Sequence, residues 1–161
     1  MKIYNIPRKE ILQLVNSLNE SLMIEVGGKI KDAKVIKLDE AEVILIEDRF
    51  QLVRKDGKIF PFLRDQGLLD HLPAAIVDKG AIKFVCNGAD IMRPGIVRVE
   101  GEFRKEAIVS IKEETHSKFI AVGASVLSSA EILASERGAM IRNLHFVGDR
   151  LWEAMKSIRL L

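Results

Sequence analysis

The residues of this chain best suited to chemistry are cations set among glycines. Lys79 and Lys83 stand four apart, one turn of a helix, so both ammonium groups leave the same face and can meet successive phosphates. Asn87-Gly88 follows as a helix stop, because glycine takes the left-handed conformation that closes a Schellman-type cap. Arg93-Pro94-Gly95 then reads as a type II turn, proline fixing φ and glycine accepting a positive φ. A guanidinium beside that turn is able to grip a phosphate through two N–H groups or to stack on a base. Glycines without side chains let a nucleic-acid backbone approach. The stretch thus sets backbone amides beside positive side chains, as a polyanion site requires. Each part also has a structural reading: lysine pairs are common on solvated helices, and glycine turns end helices of every function.

Farther along, residues 138–149 alternate as a strand, with Arg142 on one side and Ile141, Asn143 and His145 on the other. His145 either meets a base or phosphate or is a satisfied, half-buried histidine. Catalysis finds no comparable support. Cys86 is the single cysteine, which excludes an internal disulfide, and it shares an apolar helix face with Ala81, Ile82 and Val85. With no activating base nearby, it reads as an inert thiol. His71, His116 and His145 lack metal-ligand spacing, and Glu100, Glu102, Glu106, Glu113 and Glu114 form a solvated acidic edge. Gly27-Gly28-Lys29 lacks the full phosphate-loop pattern and its following Ser or Thr. No catalytic residue, metal or cofactor is expected.

The elements that must position these groups can be traced from periodicity. Ile11, Leu14, Val15, Leu18 and Leu22 recur at helical spacing, with Pro7 in the first turn. Period-two strands are expected over 33–38, 42–46 and 50–54, and Asp56-Gly57 is a tight-hairpin signal with 58–60 returning as the partner strand. A short helix over 68–72 ends at Pro73, which marks the domain boundary. Beyond it, 74–77 reads as a buried strand and Asp78 as the N-cap of the helix carrying Lys79 and Lys83. Strands are expected over 96–99, 107–111, 119–122 and 140–147, with helices over 128–135 and 149–158. Many short strands around two short helices suggest a small mixed barrel.

Composition agrees with a folded protein: 161 residues, 48% hydrophobic and 30% charged. No apolar run approaches the roughly 20 residues that cross a bilayer, and the start has no secretory pattern, so a cytoplasmic, non-membrane protein is expected. The net charge of +2 does not by itself identify a nucleic-acid binder. Its distribution is more telling: 12 basic and 12 acidic residues precede the boundary at Pro73, and 13 basic and 11 acidic follow it.

The order of the motifs resembles the PUA family of RNA-binding modules. Ala75-Ile76-Val77-Asp78-Lys79-Gly80-Ala81 is followed by Asn87-Gly88-Ala89-Asp90-Ile91-Met92-Arg93-Pro94-Gly95-Ile96, then Phe119-Ile120-Ala121-Val122-Gly123 and Gly138-Ala139-Met140-Ile141. The ending Leu144-His145-Phe146-Val147-Gly148-Asp149-Arg150-Leu151-Trp152 narrows it to archaeal proteins that join a small pre-PUA domain to a PUA domain. These are similar to malignant T-cell-amplified sequence proteins and to the N-terminal part of ligatin. The resemblance implies an α+β chain, with a pre-PUA domain over 1–73 and a PUA pseudobarrel with a C-terminal helix over 74–161. It implies RNA contacts at Lys79, Lys83, Gly88, Ala89, Arg93, Pro94, Gly95, Arg142 and His145. The implied function is non-enzymatic binding of structured RNA, tRNA or rRNA, in translation initiation or ribosome recycling. The small ribosomal subunit or another translation factor would be a partner. The rival readings are an accessory subunit delivering RNA to a separate modifying enzyme, and a protein-interaction module without RNA contact.

Overall fold

In the computed structural model, which describes residues 2–22, 30–47 and 49–158, the chain falls into two units that part between His71 and Leu72. The Gly27-Gly28-Lys29 stretch lies outside the described residues. In the first unit, β1 (Lys2–Asn5) leads into α1 (Arg8–Ser21), and then β2 (Ala33–Lys37), β3 (Glu42–Ile46), β4 (Phe50–Lys55) and β5 (Lys58–Pro61) follow. The strands form an antiparallel sheet in chain order. α1 buries Ile11, Leu14 and Leu18, and Leu22 just past its end is buried too. The expected hairpin closes with Asp56 and Gly57 at φ 52° and 74°, pairing Lys55 with Lys58. β1 carried no alternating signal because all four of its residues are exposed. Pairing with β2 holds it, and Tyr4 O–H donates to Glu42 Oε2 at 3.0 Å. The short helix before the boundary, α2 (Gln66–Leu69), starts earlier than its apolar residues suggested. Asp65 starts it by accepting from Leu68 N–H (3.1 Å), and the other oxygen of its carboxylate accepts from Gln51 N–H (2.8 Å).

The second unit is a curled six-stranded sheet around one core. In chain order it contains β6 (Ala74–Val77), a 3-10 turn (Lys79–Ala81), α3 (Ile82–Val85), β7 (Ile91–Met92) and a second 3-10 turn (Arg93–Gly95). Then come β8 (Ile96–Glu100), β9 (Ile108–Glu113), β10 (Phe119–Ser125), α4 (Ser129–Ala134), β11 (Ala139–Phe146) and α5 (Arg150–Lys156). The sheet order is β7-β11-β10-β9-β6-β8, antiparallel except for the parallel pair β6 and β9. All four residues of β6 are buried, as its continuous apolar run required. Val77, Val85, Ile91, Val109, Ile111 and Ile141 meet in the interior. α4 begins with a capping box between Ser128 and Glu131. The architecture is α+β with a PUA-like pseudobarrel, as the motif order implied. Among the described residues no helix is long and apolar enough to cross a membrane.

One irregularity shapes the site. The β10–β11 register slips between Val122 and Gly123, leaving Leu144 as the extra residue. This bulge breaks the strict alternation expected along 138–149. Gly123 permits the close approach, since a Cβ there would lie 2.4 Å from Arg142 O.

Candidate nucleic-acid interface

Asp78 turns the chain from β6 into the site. Its N–H donates to Gly95 O (2.9 Å) and its Oδ1 accepts from Ala81 N–H (2.9 Å), the expected cap. The helix it caps is two pieces: the 3-10 turn carries Lys79 and α3 carries Lys83. Both lysines are exposed, while Ala81, Ile82 and Cys86 pack partly on the core and Val85 is buried. Burial also pushes the Cys86 thiol pKa up, away from the reactive thiolate. α3 ends in a Schellman motif: Ala89 N–H donates to Phe84 O (3.0 Å), Gly88 N–H donates to Val85 O (3.1 Å), and Gly88 has φ 95°.

Asn143 on β11 holds this loop against the barrel. Its Nδ2 donates to Val85 O (3.0 Å) and Ala89 O (2.9 Å), and its backbone N–H donates to Asp90 Oδ1 (3.0 Å). The Phe146 ring supports Gly88 from beneath, and a Cβ on Gly88 would lie 3.3 Å from it. On the far side of the loop, Arg93–Gly95 forms a 3-10 turn, with Ile96 N–H donating to Arg93 O. This corrects the expected type II turn: Gly95 is not among the glycines with positive φ. Its missing side chain serves packing instead, because a Cβ there would come within 3.2 Å of the Ala81 Cβ.

Between α3, its loop and this second turn lies an open cleft of about 330 Å³, lined by Asp78, Phe84, Ala89, Met92, Pro94 and Gly95 among others. Three of the expected contact residues, Ala89, Pro94 and Gly95, line the cleft, and Lys79, Lys83 and Gly88 belong to the segments that form it. Phe84 and Met92 were missed, although they are 59% and 49% exposed. The available signal was a phenylalanine immediately after Lys83, outside the Ala81-Ile82-Val85-Cys86 set.

The other expected contacts are placed differently. Arg93 is partly buried; its Nε donates to Ile132 O (2.8 Å) and one Nη to Ile96 O (3.0 Å), which ties the turn to α4. Arg142 leaves β11 on the side opposite Asn143 and reaches Glu106 Oε2 at 3.7 Å. His145 is fully buried and can present no face to a ligand. Its Nδ1 lies 2.8 Å from Asp149 Oδ2. Asp149 also accepts from Trp152 N–H (2.7 Å) and Phe146 N–H (3.0 Å), capping α5. The alternative of a satisfied histidine therefore holds. Asp149, four residues on, is the physical reason, because it satisfies the ring nitrogen inside the fold. Among the described residues, no group of three or more His, Cys, Asp or Glu is placed to hold a metal ion.

Comparison with known proteins is consistent with this geometry. The PUA domain family model matches residues 73–147. An uncharacterised protein of Methanocaldococcus jannaschii is 34% identical over 156 residues, covering 94% of this chain and 95% of the relative. Translation machinery-associated protein 20 of Saccharomyces cerevisiae is 32% identical over 137 residues (75% of this chain, 76% of the relative). The malignant T-cell-amplified sequence 1 homolog of Drosophila melanogaster is 36% identical over 125 residues (72% and 67%). Among solved structures, a hypothetical protein of Pyrococcus horikoshii superposes with a TM-score of 0.81 at 25% identity, over 95% of this chain and 99% of that one.

Proposed function

Because this chain belongs to the PUA-domain family that includes translation machinery-associated protein 20 and the malignant T-cell-amplified sequence proteins, we propose that it is a non-enzymatic RNA-binding protein of the translation machinery. It grips structured RNA, tRNA or rRNA, through the cleft beside α3. It serves translation initiation or ribosome recycling, with the small ribosomal subunit as a partner. The observation that carries this reading is the pair of exposed lysines flanking an open cleft whose rim is backbone turns. Such a rim admits a nucleic-acid backbone, and the ammonium groups neutralise its phosphates.

The electrostatic contribution is limited, because Arg93 is engaged with two backbone carbonyls and Arg142 leaves β11 on the side opposite the Asn143 that holds the loop. Two phosphate contacts, each with a log–log salt slope of about −0.7 to −0.9, predict a loss of roughly seven- to twelvefold in affinity between 50 and 200 mM salt. The test is an RNA-binding titration with tRNA and with small-subunit rRNA across that range, using the wild type and the double variant Lys79→Glu/Lys83→Glu. The expected result is that steepness in the wild type and a nearly flat, much weaker curve in the variant. A wild-type affinity indifferent to salt, or a double variant that binds as before, would refute the reading. Recovery of small ribosomal subunits from a lysate by the wild type but not the variant tests the translation role. Recovery of an RNA-modifying enzyme in their place would favour the accessory-subunit alternative.

A further inference from the structure

A strand at the edge of a sheet offers unpaired N–H and C=O groups to any strand that can reach it, so folded proteins usually blunt such edges. Three of the four edges here are blunted. β7 has two residues, β5 carries Lys58 and ends in Pro61, and β1 carries Lys2 directly opposite Lys37 of β2, two like charges that would repel a copy of themselves. The fourth edge is β8. It pairs with β6 on one side, and among the described residues no further backbone hydrogen bond reaches 97–100. A bulge at Val97 disturbs its start, but from Arg98 to Glu100 the strand runs in regular register with β6. Its charges are one of each sign. Arg98 and Glu100 stand two residues apart and so on the same face of the strand, their side chains 54% and 46% exposed.

We infer that β8 is a contact between two copies of this chain, the strands running antiparallel about a two-fold axis at Val99 so that the two six-stranded sheets become continuous. A two-fold axis repeats every contact in reverse. That register therefore sets Arg98 opposite Glu100 of the second copy and Glu100 opposite its Arg98. Opposite charges directly across an antiparallel pair attract, and like charges there destabilise it. This self-complementarity is what selects a second copy over a strand of unrelated sequence. Val97 falls opposite Gly101, which has no side chain to obstruct the approach. Apolar surface adds to the match: Arg93 binds the carbonyls of Ile132 and Ile96 together, which puts the residues after them, Leu133 and Val97, at one corner, 59% and 46% exposed. An edge this short buries less than the roughly 1,200 Å² of a stable complex, so half of the chains should pair only at about 0.1 mM. The inference does not depend on the RNA reading.

The test is sedimentation velocity on the full chain from about 10 µM to about 1 mM, a span that brackets the expected midpoint. The wild type should pass from monomer to dimer across it. Arg98→Glu turns both cross-strand charge pairs repulsive and should weaken pairing about tenfold or more. Glu100→Arg should do the same. An equimolar mixture of the two variants should pair at wild-type concentrations, because every acidic residue then faces a basic one. Glu100 also meets Lys112 Nζ at 3.4 Å, so melting curves check that each variant folds; if Glu100→Arg does not, Arg98→Glu decides alone. In the wild type, amide exchange over 97–100 should slow as concentration rises, and exchange over 2–5 should not. A wild type still monomeric at the highest concentration overturns the inference, as does pairing that Arg98→Glu leaves unchanged. A mixture of folded variants that fails to pair, or protection confined to another segment, overturns it too.

Discussion

A side chain's neighbours, rather than its type, decide what it does in this molecule. Arg93 and Lys83 are both cations near the cleft, yet the guanidinium is spent on two backbone carbonyls while the ammonium faces solvent. Arginine suits the first task because its planar fork reaches two acceptors at once. Arg93→Gln is therefore expected to cost about 1.5–3 kcal/mol of stability, the range for hydrogen bonds to a charged group, in urea unfolding. The salt slope of RNA binding should stay unchanged. A slope shallower by about one phosphate contact would return Arg93 to the contact surface. His145 teaches the same lesson in reverse: a residue type apt for nucleic acid is here fully buried beside Asp149. Because that carboxylate stays ionised, the histidine's Nδ1–H is the donor between them.

At the scale of elements, the cleft depends on β11 more than on the 3-10 turn and short helix that carry its lysines. α3 spans only Ile82–Val85, too short to persist by its own hydrogen bonds. Its C-terminal loop is held by the three bonds of Asn143 and by the Phe146 ring under Gly88. Asn143→Asp keeps the size but removes both amide donors and sets a carboxylate against two carbonyl oxygens. The expected outcome is a loss of roughly 1–3 kcal/mol or more. Hydrogen exchange should speed up in residues 86–90 and RNA affinity should fall, and Asn143→Ala, which brings no negative charge, should show the same two effects. Unchanged exchange across that loop would show that Gly88 packing alone suffices. The Schellman stop was legible from Asn87-Gly88, because only a residue tolerant of positive φ closes a helix this way. The Asn143 tether was not legible, since it joins positions 54 and 58 residues apart.

Across the whole molecule, acidity should erode stability through a few paired carboxylates in both units. At Asp149, burial opposes the charge, but the hydrogen bond and charge of His145 and the N–H groups of Trp152 and Phe146 outweigh it and hold the pKa below the usual range. At Glu42, burial likewise opposes the charge, and hydrogen bonds from Arg54 and Tyr4 prevail. At Glu131, the backbone N–H of Ser128 and then its hydroxyl lower the value. Each group binds its proton less readily folded than unfolded. Its contribution is therefore complete above the unfolded values, about 3.9 for Asp and 4.3 for Glu, and is lost as pH falls through the depressed folded values. The melting temperature is expected to decline below about pH 4.5. Asp149→Asn should melt lower than the wild type at neutral pH, with the gap closing as the solution is acidified. A gap independent of pH would mean that the Asp149 carboxylate contributes only its shape.

The sequence by itself determined the α+β class, the buried β6 strand, the Asp78 cap and the outward lysines. All of these follow from local rules: apolar periodicity, capping chemistry and the φ that glycine permits. Only the tertiary structure decided that Arg93 bolts a turn to α4, that Arg142 meets Glu106, that His145 is interior and that Phe84 stands in solvent. Those outcomes depend on which distant carbonyl or carboxylate each group meets once the sheet has curled. They depend as well on a bulge at Leu144 that resets which side chains face the core, and neither is written in the spacing of neighbouring residues.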